Sequence, residues 1–312
     1  MTGYIEPSLA LSAQGASTPG ARRPHVLLLG GQDAPDAQQL LRRYARHSSA
    51  DWPEHELRAL AWPTYSRGAA LVRADDAASP AGNTRARACR SWLPGRLDQL
   101  AAAGVTRAVA ALDRRMHVVD GRARGLLSRA VYLFTRFSVD ALYGPLGREL
   151  VELTLSALHG KPYSVIVAHS FGGTMALRAA WELTLRGLPA PRLEILALGT
   201  SSGCAVVRSP LWHGIPRDSA GCIALPPCVR SYRHFYSRSD AFVAAPALPK
   251  QFAGIELTEV QTGRFTQRGF GHALGDYLSA PAFRAALRAA LLRAHAERPR
   301  ADARLMAETQ SA

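Results

Sequence analysis

Apolar residues along the chain switch repeatedly between short continuous runs and helical spacing. Residues 25–29, 57–62, 164–167, 193–198, 232–236 and 255–260 are brief runs rich in Leu, Val, Ile or aromatic side chains, bounded by polar or Gly/Pro positions. Runs of that length and composition predict strands, and those apolar at successive positions predict strands buried on both faces, as in a parallel sheet. Between them, 36–46, 146–158 and 174–186 place apolar residues three and four apart, and 282–295 repeats that spacing near the end of the sequence. These segments predict amphipathic helices. Strands alternating with helices imply an α/β domain over 24–296, with a mostly parallel central sheet covered by helices on both faces. Residues 1–23, rich in Ser, Ala, Gly and Pro without a period, and the polar stretch 297–312 predict disordered tails.

The alternation breaks between 65 and 140, a stretch too long for a simple connection. Helices are expected at 92–103 and 126–142. In the second, Leu126, Leu127, Ala130, Val131, Leu133, Phe134, Phe137, Leu142 and Tyr143 form a broad apolar face interspersed with arginines. Two readings stand side by side: a helix packed on the sheet, or a helical cap (65–142, with 126–143 as its lid) over an active site. A cap of that kind would receive an acyl chain and could touch a membrane surface peripherally through its basic and apolar residues.

The most informative junction lies at 163–177. The apolar run ends in Ala168-His169-Ser170-Phe171-Gly172-Gly173 and passes directly into helical spacing. A serine forced onto so sharp a strand-to-helix turn holds its hydroxyl above the strand ends, and only small residues two positions before and after it avoid collision. Ala168 and Gly172 supply that room. The usual pattern of this nucleophile elbow is Gly-x-Ser-x-Gly, so Ala168 departs from it by one methyl group. The competing reading is an ordinary helix N-cap followed by a glycine turn.

With 312 residues and 47% hydrophobic content, the chain can bury a substantial core. Its formal charge of +14 raises nucleic acid as a partner. However, Lys161 and Lys250 are the only lysines, and the arginines are spread throughout. A binding patch needs basic clustering with interleaved aromatics, for which the densest basic stretch, 114–136, is a weak candidate, so a solvated surface with no specific nucleic-acid site is the favoured expectation. No apolar run reaches the ~20 residues of a membrane span, and the first residues lack the pattern of a secretory signal, which leads to a cytoplasmic expectation. Cys89, Cys204, Cys222 and Cys228 show no paired Cys-x-x-Cys spacing. They are expected as thiols rather than metal ligands, with a bridge among 204, 222 and 228 as the alternative.

Serine becomes a nucleophile at neutral pH only beside a base that a carboxylate orients, with donors waiting for the oxyanion. Downstream of Ser170, the aromatic segment His234-Phe235-Tyr236 leads into a polar turn with Asp240, and Gly269-Phe270-Gly271-His272 precedes the last helix. The order Ser, Asp, His, each at the end of a strand or in the loop after one, resembles the α/β-hydrolase superfamily. The resemblance covers about 25–295 and is weakest over 65–140. Within the superfamily, Tyr143-Gly144-Pro145, the elbow and Gly199-Thr200-Ser201 resemble bacterial lipases and GPI inositol-deacylases.

That resemblance implies Ser170 as nucleophile, His272 as base and Asp240 as the acid that orients it. It also implies an oxyanion hole made by the backbone amides of Phe171 and Gln32, with Gly30 standing where the family often has histidine. Asp218 is a rival acid, and His213, His234 and His295 are rival bases; His169 is expected to point away from the serine. The implied activity is hydrolysis of a small-molecule or lipid carboxylic ester through an acyl-enzyme, with no metal or organic cofactor. The same residues would also serve an acyltransferase or a thioesterase, and the fold alone would serve a non-catalytic binding scaffold.

Overall fold

The computed structural model describes residues 23–31, 37–48, 52–61, 141–142, 145–160, 163–189, 192–200, 209–240, 243, 252–262 and 272–310. The expected N-terminal tail, the helix at 92–103, most of the candidate lid at 126–143, Gln32, Cys89 and Cys204 lie outside the described residues. The chain divides into two compact units, Met1–Ala61 with Val151–Val207 and Gly214–Ala312, and Trp62–Leu150 with Arg208–His213. The described part of the second unit includes a 3₁₀ turn, Pro210–Trp212, whose Leu211 and Trp212 are buried.

The first unit contains the sheet. Its strands are β1 (His25–Leu29), β2 (Glu56–Leu60), β3 (Val165–His169), β4 (Leu193–Leu198), β5 (Val229–Tyr236) and β6 (Ile255–Glu259), in the order β2-β1-β3-β4-β5-β6. Every neighbouring pair is parallel. Parallel neighbours need crossover connections; among the described residues, helices lie in the connections from β1 to β2, from β2 to β3 and from β3 to β4, and two more helices follow β6. In chain order the helices are α1 (Ala37–His47), α2 (Pro145–Leu158), α3 (Phe171–Leu185), α4 (Leu274–Ser279) and α5 (Pro281–Gln310).

Side chains alternate across a strand, so each central strand feeds two cores. Val26, Leu28, Val165, Val167, Leu196, Leu198 and Phe235 join one hydrophobic cluster with Leu40, Leu41 and Tyr44 of α1, Tyr277 of α4 and Phe283, Leu287 and Leu291 of α5. Phe283 meets Phe235 edge-on, with ring centroids 5.5 Å apart at 89°; burying a side chain of this kind contributes about 1.5–3 kcal/mol. The intervening positions Leu27, Leu29, Ile166, Ala168, Ile195 and Ala197 are also buried, on the opposite face, and α3 packs against β1, β3 and β4.

The structure differs from the sequence pattern in three instructive places. β5 starts at Val229 rather than 232, because Arg230 and Arg233 alternate with buried Val229, Tyr232 and His234 and so disguise the strand as polar. Arg233 is held across the sheet by Glu256 of β6, Nε to Oε2 at 2.7 Å. α3 starts directly after Ser170, through Gly172 and Gly173, which local propensity would have kept out of a helix. α5 does not end near 295: the segment expected as a disordered tail is helical as far as Gln310, consistent with its Ala, Arg, Glu, Leu and Met content.

Candidate active site

β3 and α3 meet at Ser170, whose backbone has φ 54° and ψ −127°. Among the described residues it is the one non-glycine with positive φ. A backbone held there costs on the order of 1–3 kcal/mol, and only the surrounding structure can maintain it. Its amide donates to the Leu198 carbonyl at 2.8 Å, fixing the turn to the end of β4. Ser170 occupies the N-cap position of α3, yet its side chain makes no cap hydrogen bond. The ordinary N-cap reading of this serine is therefore excluded, because the hydroxyl is not spent on the helix.

The small residues around the elbow are required by close backbone approach. A Cβ on Gly172 would lie 2.7 Å from the Gly30 carbonyl oxygen and 2.9 Å from that of Leu29. These atoms belong to the central strand β1 and its exit and cannot turn aside as a side-chain tip could. Ala168, by contrast, sits fully buried in register between Leu29 and Ala197, so its extra methyl group is accommodated. Gly172→Ala is expected to cost about 1–3 kcal/mol by overpacking. Urea unfolding would read it as a lowered midpoint with unchanged slope, and an unchanged midpoint would show that β1 and α3 can part without loss.

Gly31 comes equally close from the other side. A Cβ there would lie 2.4 Å from Ser170 Cβ and 3.1 Å from its Oγ, so bare backbone abuts the serine side chain. Gly30 and Gly31 thus do more than make a tight exit from β1. Phe171 is the first residue of α3, where amides point outward at the positive end of the helix dipole. Gln32, the second expected donor, follows Gly31 directly in sequence.

Asp240 and His272 come together. His272 Nδ1 lies 2.6 Å from Asp240 Oδ2, and the Asp240 side chain is fully buried. The carboxylate accepts, so the imidazole carries its proton on Nδ1 and presents Nε2 as the basic nitrogen. Asp240 is held in a turn closed by its own amide on the Ser237 carbonyl at 3.1 Å. The same Oδ2 accepts a second hydrogen bond, from the Tyr277 hydroxyl at 2.6 Å.

His169, expected to point away from the serine, anchors His272. Its Nε2 donates to the main-chain carbonyl of His272 at 3.0 Å, and the two rings are 4.8 Å apart. The residue before Ser170 thereby ties down the backbone at His272. Burial, reinforced by the nearby His272, holds the His169 imidazole well below its ordinary pKa, so it is neutral, with its proton on Nε2. No sequence signal marked this bond, which joins residues 103 positions apart.

The rivals have other occupations. Asp218 is exposed, and its Oδ1 accepts from the amides of Ala220 and Cys222, a turn-forming role. His295 is exposed on α5 and His213 is exposed. His234 is fully buried in β5 and accepts the Thr200 amide on Nε2 at 3.0 Å; burial depresses its pKa to about 3. The Cys228 thiol donates to the Ala180 carbonyl at 3.4 Å, and burial raises its pKa. Among the described residues, no cluster of three or more His, Cys, Asp or Glu side chains could hold a metal ion. Nor is any of their helices long and apolar enough to cross a membrane.

A six-stranded parallel sheet flanked by helices, with a strained serine between a central strand and its helix and an Asp–His pair beyond later strands, is the α/β-hydrolase architecture that the sequence resembles. No protein-family model matches the chain, and no curated protein does. Among solved structures, a variant of the esterase rPPE is 16% identical, with a TM-score of 0.33 over 88% of this chain and 75% of its own. A thermostable esterase from Pseudomonas putida is 16% identical (TM-score 0.34; 93% of this chain, 82% of its own). The RedJ thioesterase of the prodiginine pathway in Streptomyces coelicolor is 13% identical (TM-score 0.35; 89% of this chain, 97% of its own).

Proposed function

We propose that the protein is a serine hydrolase that cleaves carboxylic esters through an acyl-enzyme on Ser170. The observation that carries this reading is the pairing of His272 Nδ1 with the buried Asp240 carboxylate at 2.6 Å, on a loop tethered to the residue next to Ser170. His272 Nε2 takes the hydroxyl proton as Ser170 Oγ attacks the ester carbonyl, and Asp240 stabilises the imidazolium that forms. The amides of Phe171 and Gln32 receive the oxyanion. Collapse of the tetrahedral intermediate expels the alcohol, protonated by His272. Water then attacks the acyl-enzyme by the same route and releases the acid. The Ser170 backbone strain supports this assignment, since strain of that kind persists where geometry serves chemistry. The substrate is a small-molecule or lipid ester.

The test is covalent labelling by a fluorophosphonate probe, which reports an activated serine without knowledge of the substrate. The full chain is expected to label, while Ser170→Ala and His272→Ala, both folded by circular dichroism, do not. Absence of labelling in the folded wild type would transfer the fold to a binding role.

A further inference from the structure

The Asp240–His272 pair is not closed by those two residues alone. Tyr277 lies on α4, the short helix that starts two residues after His272, and its ring returns to the acid. Its hydroxyl donates to the oxygen of Asp240 that His272 Nδ1 faces, both at 2.6 Å. The turn that bears the acid and the helix that follows the base are thus joined through one hydroxyl. Tyr277 is fully buried, so the bond does not exchange with water.

A third element is shaped around this contact. Gly199, at the end of β4, has φ 53°, and a Cβ there would lie 2.9 Å from Asp240 Oδ2 and 2.9 Å from Cε2 and Cζ of Tyr277. Glycine at 199 leaves room for the carboxylate and phenol to lie side by side against the strand end.

We infer that Tyr277 is a positioning residue of the catalytic apparatus, which fixes the Asp240 carboxylate and tempers the charge it presents to His272. This rests on the serine-hydrolase reading above. Two donors on one carboxylate oxygen share its electron density. Removing the phenol proton strengthens the remaining interaction with His272 and favours the imidazolium. The acid limb of the pH–rate profile, which reports loss of the free base, then moves to higher pH. A stronger phenol donor moves it the other way. The other titratable groups facing the pair are His169 from β3, which is neutral, and Asp276 on α4; Arg43 of α1 acts on His169, and His47 of α1 lies beside Gly275. All of these groups are common to the wild type and to a variant at 277, so a difference between the two proteins reports the phenol.

Two variants of the full chain test the inference on a short p-nitrophenyl ester. Tyr277→Phe removes only the hydroxyl. It is expected to lower kcat about tenfold with KM unchanged, the split that marks an interaction felt in the transition state, and to move the acid limb up by about half a pH unit. Incorporation of 3-fluorotyrosine at 277 keeps the shape and acidifies the phenol. It should leave kcat nearly intact and move the limb downward, and it decides the matter if Tyr277→Phe does not fold. Equal acid limbs in the wild type and in the fluorotyrosine protein would overturn the role, as would an unchanged kcat in a folded Tyr277→Phe. Ser170→Ala, assayed in parallel, separates the two failures: if it keeps the wild-type rate, the hydrolase reading itself is wrong.

Discussion

Ester hydrolysis is expected to fall to one common floor in Ser170→Ala, in His272→Ala and in the double variant, and by about 10⁴-fold in kcat in Asp240→Asn. The common floor follows from the roles. Without the base, the serine hydroxyl is an ordinary alcohol; without the serine, the base has no proton to take. The second deletion therefore removes nothing the first has left.

Asp240→Asn has a more specific cause. In the wild type one oxygen accepts from both His272 Nδ1 and the Tyr277 hydroxyl. An amide offers one oxygen and one NH₂ group. With the amide nitrogen toward His272, the imidazole must carry its proton on Nε2 and cannot act as base. With the amide oxygen toward it, the neutral amide no longer stabilises the imidazolium. Initial rates over a range of ester concentrations read the loss, and a decrease below tenfold in kcat would show that Asp240 does not orient the base.

Much of this arrangement was written locally in the sequence. The strand-to-helix junction at Ser170 was legible from adjacent residues as a local pattern of small side chains two positions either side of the serine, although the atoms that crowd Gly172 are the Leu29 and Gly30 carbonyls of β1 and its exit, far away in sequence. Asp240 and His272 were legible as polar residues in loops at strand ends, although their bond spans 32 positions, because the order Ser, Asp, His is itself a sequence property. His169 and Tyr277 were not legible. His169 precedes the serine on β3, and alternation predicts only that it faces away from its neighbour; where the His272 loop returns is a tertiary fact. Tyr277 reads as one aromatic in an apolar helix, and nothing local shows that its hydroxyl meets a carboxylate from 37 positions upstream. His234, a rival base that the sequence places in a strand, is interior for a reason the sequence does not carry. It stands in a run that also contains arginines, and only the placement of β5 between β4 and β6 shows it to be interior.

Acidification is expected to unfold the protein well above the pH at which carboxylates alone would be protonated. His234 is buried with its pKa depressed to about 3, and His169 is buried with its pKa well below the ordinary value. In the unfolded chain both return to about 6.5. Above that pH neither state binds the proton, and the two histidines add no pH dependence. Below it the unfolded chain takes up protons that the folded chain refuses. Stability then falls by about 1.4 kcal/mol per pH unit for each histidine until the folded-state pKa is reached. At pH 5 His234 alone removes about 2 kcal/mol, a sizeable part of the 5–15 kcal/mol typical of a domain, and His169 acts in the same direction.

Protonating His234 on Nε2 would also break its bond to the Thr200 amide. Thr200 follows Gly199, which packs on Asp240 and Tyr277, so the disturbance enters the site directly. Urea midpoints at pH 7.5, 6 and 5 measure the slope. His234→Gln, whose amide oxygen can still accept the Thr200 amide but does not titrate, should reduce that slope by about 1.4 kcal/mol per pH unit. A variant slope equal to that of the wild type would mean that the acid transition belongs to other groups.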